Sequence, residues 1–290
     1  MSGDTITREI DRTLLLPMLR GLQIPPRPSL LAEVQTELQT GDPDPRRLAH
    51  LVSGDVAMSA ALLKLANSPL MGLSRRAETV NQAFTLLGML TVESLLVEIA
   101  LRHALPAEGP SLARFWDVAT RRAHAMAFLA RRERIAPSDV AHTFGLFLDV
   151  GIALLLRWPL TPPYRNTLAI ANDSPEPFAQ IERERHGTDH AVIGAAMASS
   201  WGVSQTVVLA VRQHHNYATM SHPATPRILR DLVALSCVVE WIIQHYEGQN
   251  QHREWQKSGE LALHTLGLGE AQLTAWSTDV HERFQQDGCA

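Results

Sequence analysis

Apolar residues recur at helical spacing over nearly the whole chain, and almost nowhere do they alternate as a half-buried strand requires. That pattern leaves an all-α fold. In 29–40, Leu30, Leu31, Val34 and Leu38 fall on one helical side, Ser29 follows Pro28 as a capping residue, and Gly41 closes the segment. Asp42-Pro43-Asp44-Pro45 reads as a turn, with Pro45 suited to the first turn of the next helix. Asp55 is placed to cap a helix running to about Asn67, with Met58, Leu62 and Leu65 inward and Pro69 ending it. Thr79 opens a helix to Leu87, and Thr91 with Ser94 opens another to about Ala104. Further helices are expected at 111–132, from Pro137-Ser138-Asp139 unbroken to Leu155, and at 162–172, 175–186, 188–201, 204–216, 226–247 and 270–286. No alternating β-branched run and no hairpin signal interrupts them, and no fixed-period repeat is found. The segment 106–110 (PAEGP) is the best boundary, dividing an N-terminal helical part, 1–108, from a C-terminal part, 109–290. Leu62, Leu65, Leu86 and Leu87 are expected in the core, and Asn67-Ser68 should bond backbone at a helix end.

Charge narrows the function. The chain carries 26 basic and 30 acidic side chains, 10 against 12 before residue 111 and 16 against 18 after it. Neither half has the basic stripe that phosphate binding needs, so a nucleic-acid partner is not expected. The only cysteines, Cys237 and Cys289, lie far apart in sequence, which predicts no disulfide and fits a reducing compartment. The polar, acidic start MSGDTITREIDR does not read as a signal peptide. The longest apolar run, 143–156, is broken by Asp149 and falls short of the roughly 18 residues of a membrane span. A cytoplasmic protein without a membrane partner is therefore expected.

The usual signatures of nucleotide and hydrolase chemistry are missing: no P-loop, no GxGxxG after a strand, no CxxC, no HExxH, no GxSxG. Histidine is the anomaly. Of 13, only His50 and His103 precede residue 110. His186, His190, His214 and His215 cluster, with Asp149, Glu182, Glu184 and Asp189 within plausible reach. Imidazoles with carboxylates suit a divalent transition ion. Equally, a histidine ending a helix needs no role beyond its interaction with the helix dipole. Asp149 stands inside the apolar run Phe144-Gly145-Leu146-Phe147-Leu148-Asp149-Val150-Gly151, so it must be hydrogen-bonded, ion-paired or metal-bound. If the helix starting near His190 and the one ending at His214-His215 form a hairpin, these groups meet.

Several segments together resemble a known family. Ile24-Pro25-Pro26-Arg27-Pro28, Val52-Ser53-Gly54-Asp55-Val56-Ala57-Met58, Leu62-Leu63-Lys64-Leu65-Ala66-Asn67-Ser68 and Thr79-Val80-Asn81-Gln82-Ala83-Phe84-Thr85-Leu86-Leu87-Gly88 are similar to successive motifs of the HDOD domain, a relative of the HD phosphohydrolases. Gly145-Leu146-Phe147-Leu148-Asp149-Val150-Gly151 resembles the Gly-Leu-Leu-His-Asp-Ile-Gly of that superfamily. Glu182, Gly187, His190, Gly194, Trp201 and His214-His215 match its Glu-x4-Gly-x2-His-x3-Gly-x6-Trp…His-His pattern. The resemblance runs from about Leu22 to His215. It implies an N-terminal helical bundle packed on a C-terminal HD-domain-like helical bundle, to which 217–290 adds helices. Trp241, Trp255 and Trp276 would pack there in core or interface.

The departures shape the expectation. The His-Asp pair reads Leu148-Asp149, and the early ligand position after Phe115-Trp116 falls near Val118, with His124 about two turns further on. What survives, Asp149, His190, His214 and His215, is a vestigial or partial metal site. No catalytic residue is assigned, and no cofactor is expected other than one divalent ion there. The resemblance implies a bacterial signalling module, a non-catalytic scaffold that binds protein partners. The alternative is a residual metal-dependent phosphohydrolase, of the kind that cleaves cyclic dinucleotides.

Overall fold

Aspartates and a threonine start three helices of the N-terminal part. Asp44 accepts from the Arg46 amide at 2.8 Å and opens α2 (Pro45–Ser53), which follows α1 (Ser29–Leu38). Asp55 accepts from the Met58 amide at 2.9 Å and opens α3 (Val56–Ala66); Thr79 does the same for α4 (Val80–Leu87). These caps satisfy amides that a helix leaves unpaired at its first turn. Asp55→Ala should cost about 1 kcal/mol; a denaturation curve unchanged from wild type would show the cap to be idle. Asn67 ends α3 by donating to the Leu63 and Ala77 carbonyls and accepting from the Ala77 amide, all at 2.8 Å. It pins the loop after α3 as the sequence suggests.

The computed structural model describes Arg8, Gly21, Leu22 and residues 24–106, 110–248 and 253–288; among these every regular element is helical. After α4 come α5 (Met89–Ala104), α6 (Pro110–Arg132), α7 (Ser138–Phe147), α8 (Val150–Arg157), α9 (Tyr164–Asp173), α10 (Phe178–His186), α11 (His190–Ser200), α12 (Gln205–Gln213), α13 (Ala218–Ser221), α14 (Arg227–Tyr246), α15 (Arg253–Leu266) and α16 (Glu270–Gly288). Helix α5 is buried from Leu95 to Leu101 and touches the N-terminal helices on one side and α7 on the other. One apolar core therefore runs through both parts of the chain. Trp201, fully buried in α11's C-cap, donates its indole N–H to the Pro25 carbonyl at 2.8 Å and ties the start of the fold to the HD-like bundle. The 106–110 boundary lies mostly outside the described residues, as does Cys289; Cys237 is a free thiol.

Several expectations need correction. The helix expected from 138 to 155 breaks: Leu148 caps α7, and Asp149 leaves helical geometry at φ −109°, ψ 13° before α8 begins. Helix α5 starts at Met89, not Thr91, because Gly88 (φ 82°) turns the chain directly into it. Leu65, Leu86 and Leu87 are only half-buried, while Leu62 is fully buried. Helix α15 was not expected; its first turns are polar and its apolar residues few. By length and composition Ser138–Arg157 does reach what a membrane span requires. However, 67% of its most apolar window is packed inside the protein and the backbone breaks within it, so it serves here as core.

Candidate metal site

Three close approaches bring the site together. A Cβ on Gly151 would lie 2.0 Å from the His190 carbonyl oxygen, so only glycine lets α8 touch the start of α11. A Cβ on Gly194 would meet Val211 of α12 at 3.2 Å and Val150 of α8 at 3.3 Å, so α11 nests tightly between these helices. Gly145 does the same for α7, where a Cβ would stand 2.9 Å from the Ala123 Cα of α6. Asp189 caps α11 by accepting from the Val192 amide at 2.8 Å, and Gly187, at φ 71°, turns the chain out of α10 so that Glu182 faces His190.

Asp149, His190, His214 and His215 converge as the sequence suggests. His190 Nε2 lies 3.1 Å from His214 Nε2, and Asp149 Oδ1 lies 3.5 and 3.6 Å from the same two atoms. His215 flanks them, its ring 4.2 Å from that of His214 and 4.9 Å from that of His190. Behind, the Glu182 carboxylate contacts His190 Nδ1 at 2.6 Å and accepts from the His190 amide at 3.2 Å, while Tyr164 donates to its other oxygen. His214 Nδ1 donates to the Val211 carbonyl at 2.7 Å. Those two contacts place a proton on each Nδ1 and turn both Nε2 atoms toward each other. Two lone pairs at 3.1 Å repel, so either a proton or a cation must lie between them. Burial disfavours charge on His190, but Glu182 and Asp149 outweigh it and raise its pKa to about 10. Burial and the neighbouring His215 push His214 down to about 4. One proton or one cation shared by the pair relieves that repulsion.

Stability should peak near neutral pH. The raised His190 value contributes stability that is complete below the unfolded value of about 6.5 and is lost as pH rises toward 10. His214 acts on the other limb, costing stability as pH falls below about 6.5, because the unfolded chain takes up that proton first. Asp149 adds to the acid loss: burial opposes its ionisation, yet Arg122 holds its carboxyl well below the usual range, and that gain vanishes as pH falls through it. Denaturant midpoints between about pH 4 and pH 10 test this; a flat profile would contradict the arrangement of charges.

The residue that sequence reasoning missed is Arg122. It is 3% exposed, and its Nη2 lies 2.7 Å from Asp149 Oδ2 and 3.2 Å from Glu240 Oε2. The only sequence signal was a pair of basic residues, Arg121-Arg122, in the middle of a long helix. Val118 is half-buried against the core, and Leu148 lines the pocket as an apolar wall. Glu184 is exposed, Asp189 is a cap, and His186 pairs with Thr167 at 2.8 Å, so none joins the cluster. His124 points elsewhere, to Glu98. Trp276 is core, whereas Trp241 and Trp255, ring centroids 5.5 Å apart, wall the pocket. The unexpected α15 closes that wall: Glu254 accepts from Tyr217 and faces His215 Nδ1 at 3.4 Å.

The model of the HDOD domain matches residues 24–217, two thirds of the chain. This chain belongs to the HDOD family. Solved structures share the fold of this HDOD protein. A "Putative signal transduction protein" from Marinobacter aquaeolei VT8 superposes with TM-score 0.71 at 19% identity, over 99% of this chain and 65% of the other. A "Putative phosphohydrolase" from Shewanella amazonensis SB2B gives 0.69 at 21%, over 97% and 95%. An HDOD domain protein with unknown function from Geobacter sulfurreducens gives 0.67 at 18%, over 96% and 95%. In sequence, an uncharacterized protein of Treponema pallidum (strain Nichols) is 25% identical over 92% of this chain, which spans about half (51%) of that relative's length.

The HDOD site fits one divalent ion. Donors about 2.0–2.2 Å from a tetrahedral ion stand about 3.3–3.6 Å apart. The Asp149, His190 and His214 triangle has edges of 3.1, 3.5 and 3.6 Å, and both imidazoles already have their Nδ1 side fixed. A second ion bridged through both oxygens of Asp149 would have to displace Arg122, whose buried guanidinium holds Oδ2 at 2.7 Å.

Proposed function

We propose that this HDOD protein is a non-catalytic signalling module whose remnant site holds at most one divalent ion and whose output is the binding of protein partners. The observation that carries the reading is the Arg122–Asp149 pair at 2.7 Å. It ties up Oδ2 of Asp149 with a fixed positive charge, and Leu148 stands as an apolar wall of the pocket where the family pattern has an imidazole. A guanidinium neutralises charge but offers no exchangeable site for water, so it cannot lower the pKa of an attacking water as an ion does. An ion bound by Asp149, His190 and His214 would supply positive charge to the pocket. His215 and Glu254 would shape its rim. The apolar wall of Leu148, Ile152 and Phe178 makes a second charge expensive to seat. The signal-transduction and phosphohydrolase-like relatives of the fold are compatible with the module and with its origin.

Calorimetric titration of chelator-stripped protein with Mn2+ tests the reading. One equivalent or none should depend on Asp149, disappearing in Asp149→Ala. Two equivalents that both vanish in Asp149→Ala would mean a dinuclear centre and would overturn it in favour of the phosphohydrolase.

A further inference from the structure

A second group of metal-binding side chains lies away from this pocket. Glu98 of α5, His124 of α6 and His142 of α7 are 0%, 1% and 2% exposed. Both imidazole Nε2 atoms stand 3.1 Å from the same oxygen, Glu98 Oε2. One ligand atom from each residue lies within 4.8 Å of the other two. We propose that Glu98, His124 and His142 form a second metal site, taking one divalent transition ion of the zinc class and joining α5 of the N-terminal part to α6 and α7 of the HD-like bundle.

Polar accounting carries the inference. Glu98 Oε1 and the Nδ1 atoms of both histidines are buried without hydrogen-bond partners. Buried polar atoms are normally satisfied; the two Nδ1 atoms lie across their rings from Oε2, so the orphan that an ion held between the Nε2 atoms would satisfy is Oε1. Arg102 is the nearest cation, its Nε 3.6 Å from Oε1, but that atom is itself unbonded and the side chain is 40% exposed. Two N–H donors on one carboxylate oxygen, with the other oxygen bare, is a lopsided arrangement for a buried carboxylate. An ion between the two Nε2 atoms and Oε2 replaces both donations, and Oε1 is free to complete a bidentate grip. The 3.1 Å spacing is close to the roughly 3.3 Å expected between donors on a tetrahedral ion. The imidazole rings stack with centroids 5.2 Å apart, so protonating both would set two like charges face to face in the core. A single cation serves both. Two nitrogens and one carboxylate favour zinc, cobalt or nickel over magnesium or calcium, which prefer oxygen.

Access exists: His142 lines a narrow cleft with Ser94, Ala127, Phe128 and Arg131. Because the three ligands come from three helices, ion binding adds directly to the stability of the seam. The role is structural and does not depend on how the Asp149 pocket is read.

The test uses the full chain with the first pocket disabled by His190→Ala/His214→Ala. Stripped of metal, this variant should take up one equivalent of Zn2+ in competition with a chromogenic chelator, melt at higher temperature when loaded, and show Co2+ absorption from nitrogen ligation. Adding Glu98→Gln should abolish all three. A folded double variant that binds no ion, or an ion that survives Glu98→Gln, overturns the proposal. Should the variants not fold, zinc-soaked wild-type crystals decide it: an anomalous peak between the three side chains supports the site, and its absence overturns it.

Discussion

Gly151→Ala should destabilise the protein by about 3 kcal/mol, toward the upper end of overpacking costs. The added Cβ would lie 2.0 Å from the His190 carbonyl oxygen and 2.8 Å from its carbonyl carbon. Both are backbone atoms, so no rotamer change relieves the clash; α8 and α11 must separate. Alanine's helix propensity returns only about 1 kcal/mol. Separation also moves Asp149, two residues before Gly151, away from His190, so any ion held between them should be lost as well. Gly41→Ala is the control. Nothing lies within 4 Å of a Cβ there, and its effect should stay within about 0.5 kcal/mol. Urea denaturation of both variants checks the pair. A Gly151→Ala protein within 1 kcal/mol of wild type, on the order of an ordinary substitution, would mean that α8 and α11 do not meet at His190.

Arg122→Met should also be costly, by about 3 kcal/mol, because removing one partner leaves buried charge unpaired. Methionine keeps much of the volume, so the loss reports charge. A second readout separates this from simple packing. Asp149 is held low by Arg122, and its contribution to stability is complete above the unfolded carboxylate range and lost as pH falls through the folded value. Without Arg122 that depression shrinks, so the acid limb of the stability profile should flatten even as overall stability drops. A variant that loses stability with an unchanged acid limb would show that Arg122 acts by packing alone.

Helix positions were legible in the sequence where caps and breakers stood together, as at Asp44-Pro45, Asp55 and Thr79. They were not legible where packing overrides propensity. Nothing local in 138–157 announces a break at Asp149; it stands two residues before the point where Gly151 meets the backbone of a helix some forty residues on. Helix α15 was hidden because the residues on its buried side, Ser258, Gly259 and Ala262, are small or polar, so the side that packs on α14 does not read as apolar. The histidines of the site could be picked out because each ends or begins a helix of a short hairpin. Arg122 could not, since a pair of arginines in a long helix reads as solvated surface until their partners are known. The Glu98, His124 and His142 cluster was equally silent, its members 26 and 18 residues apart on three different helices.

Non-catalysis is the claim on which the functional reading rests, and turnover measures it directly. Chelator-stripped wild-type protein, reloaded with Mn2+ or Fe2+, should hydrolyse a chromogenic phosphodiester no faster than Asp149→Ala. Leu148→His, alone or with Val118→His, should gain metal before it gains any rate, because Arg122 still occupies Oδ2 of Asp149. Robust metal-dependent turnover by the wild type, abolished by chelation and by Asp149→Ala, would contradict the reading and identify the chain as a working phosphohydrolase.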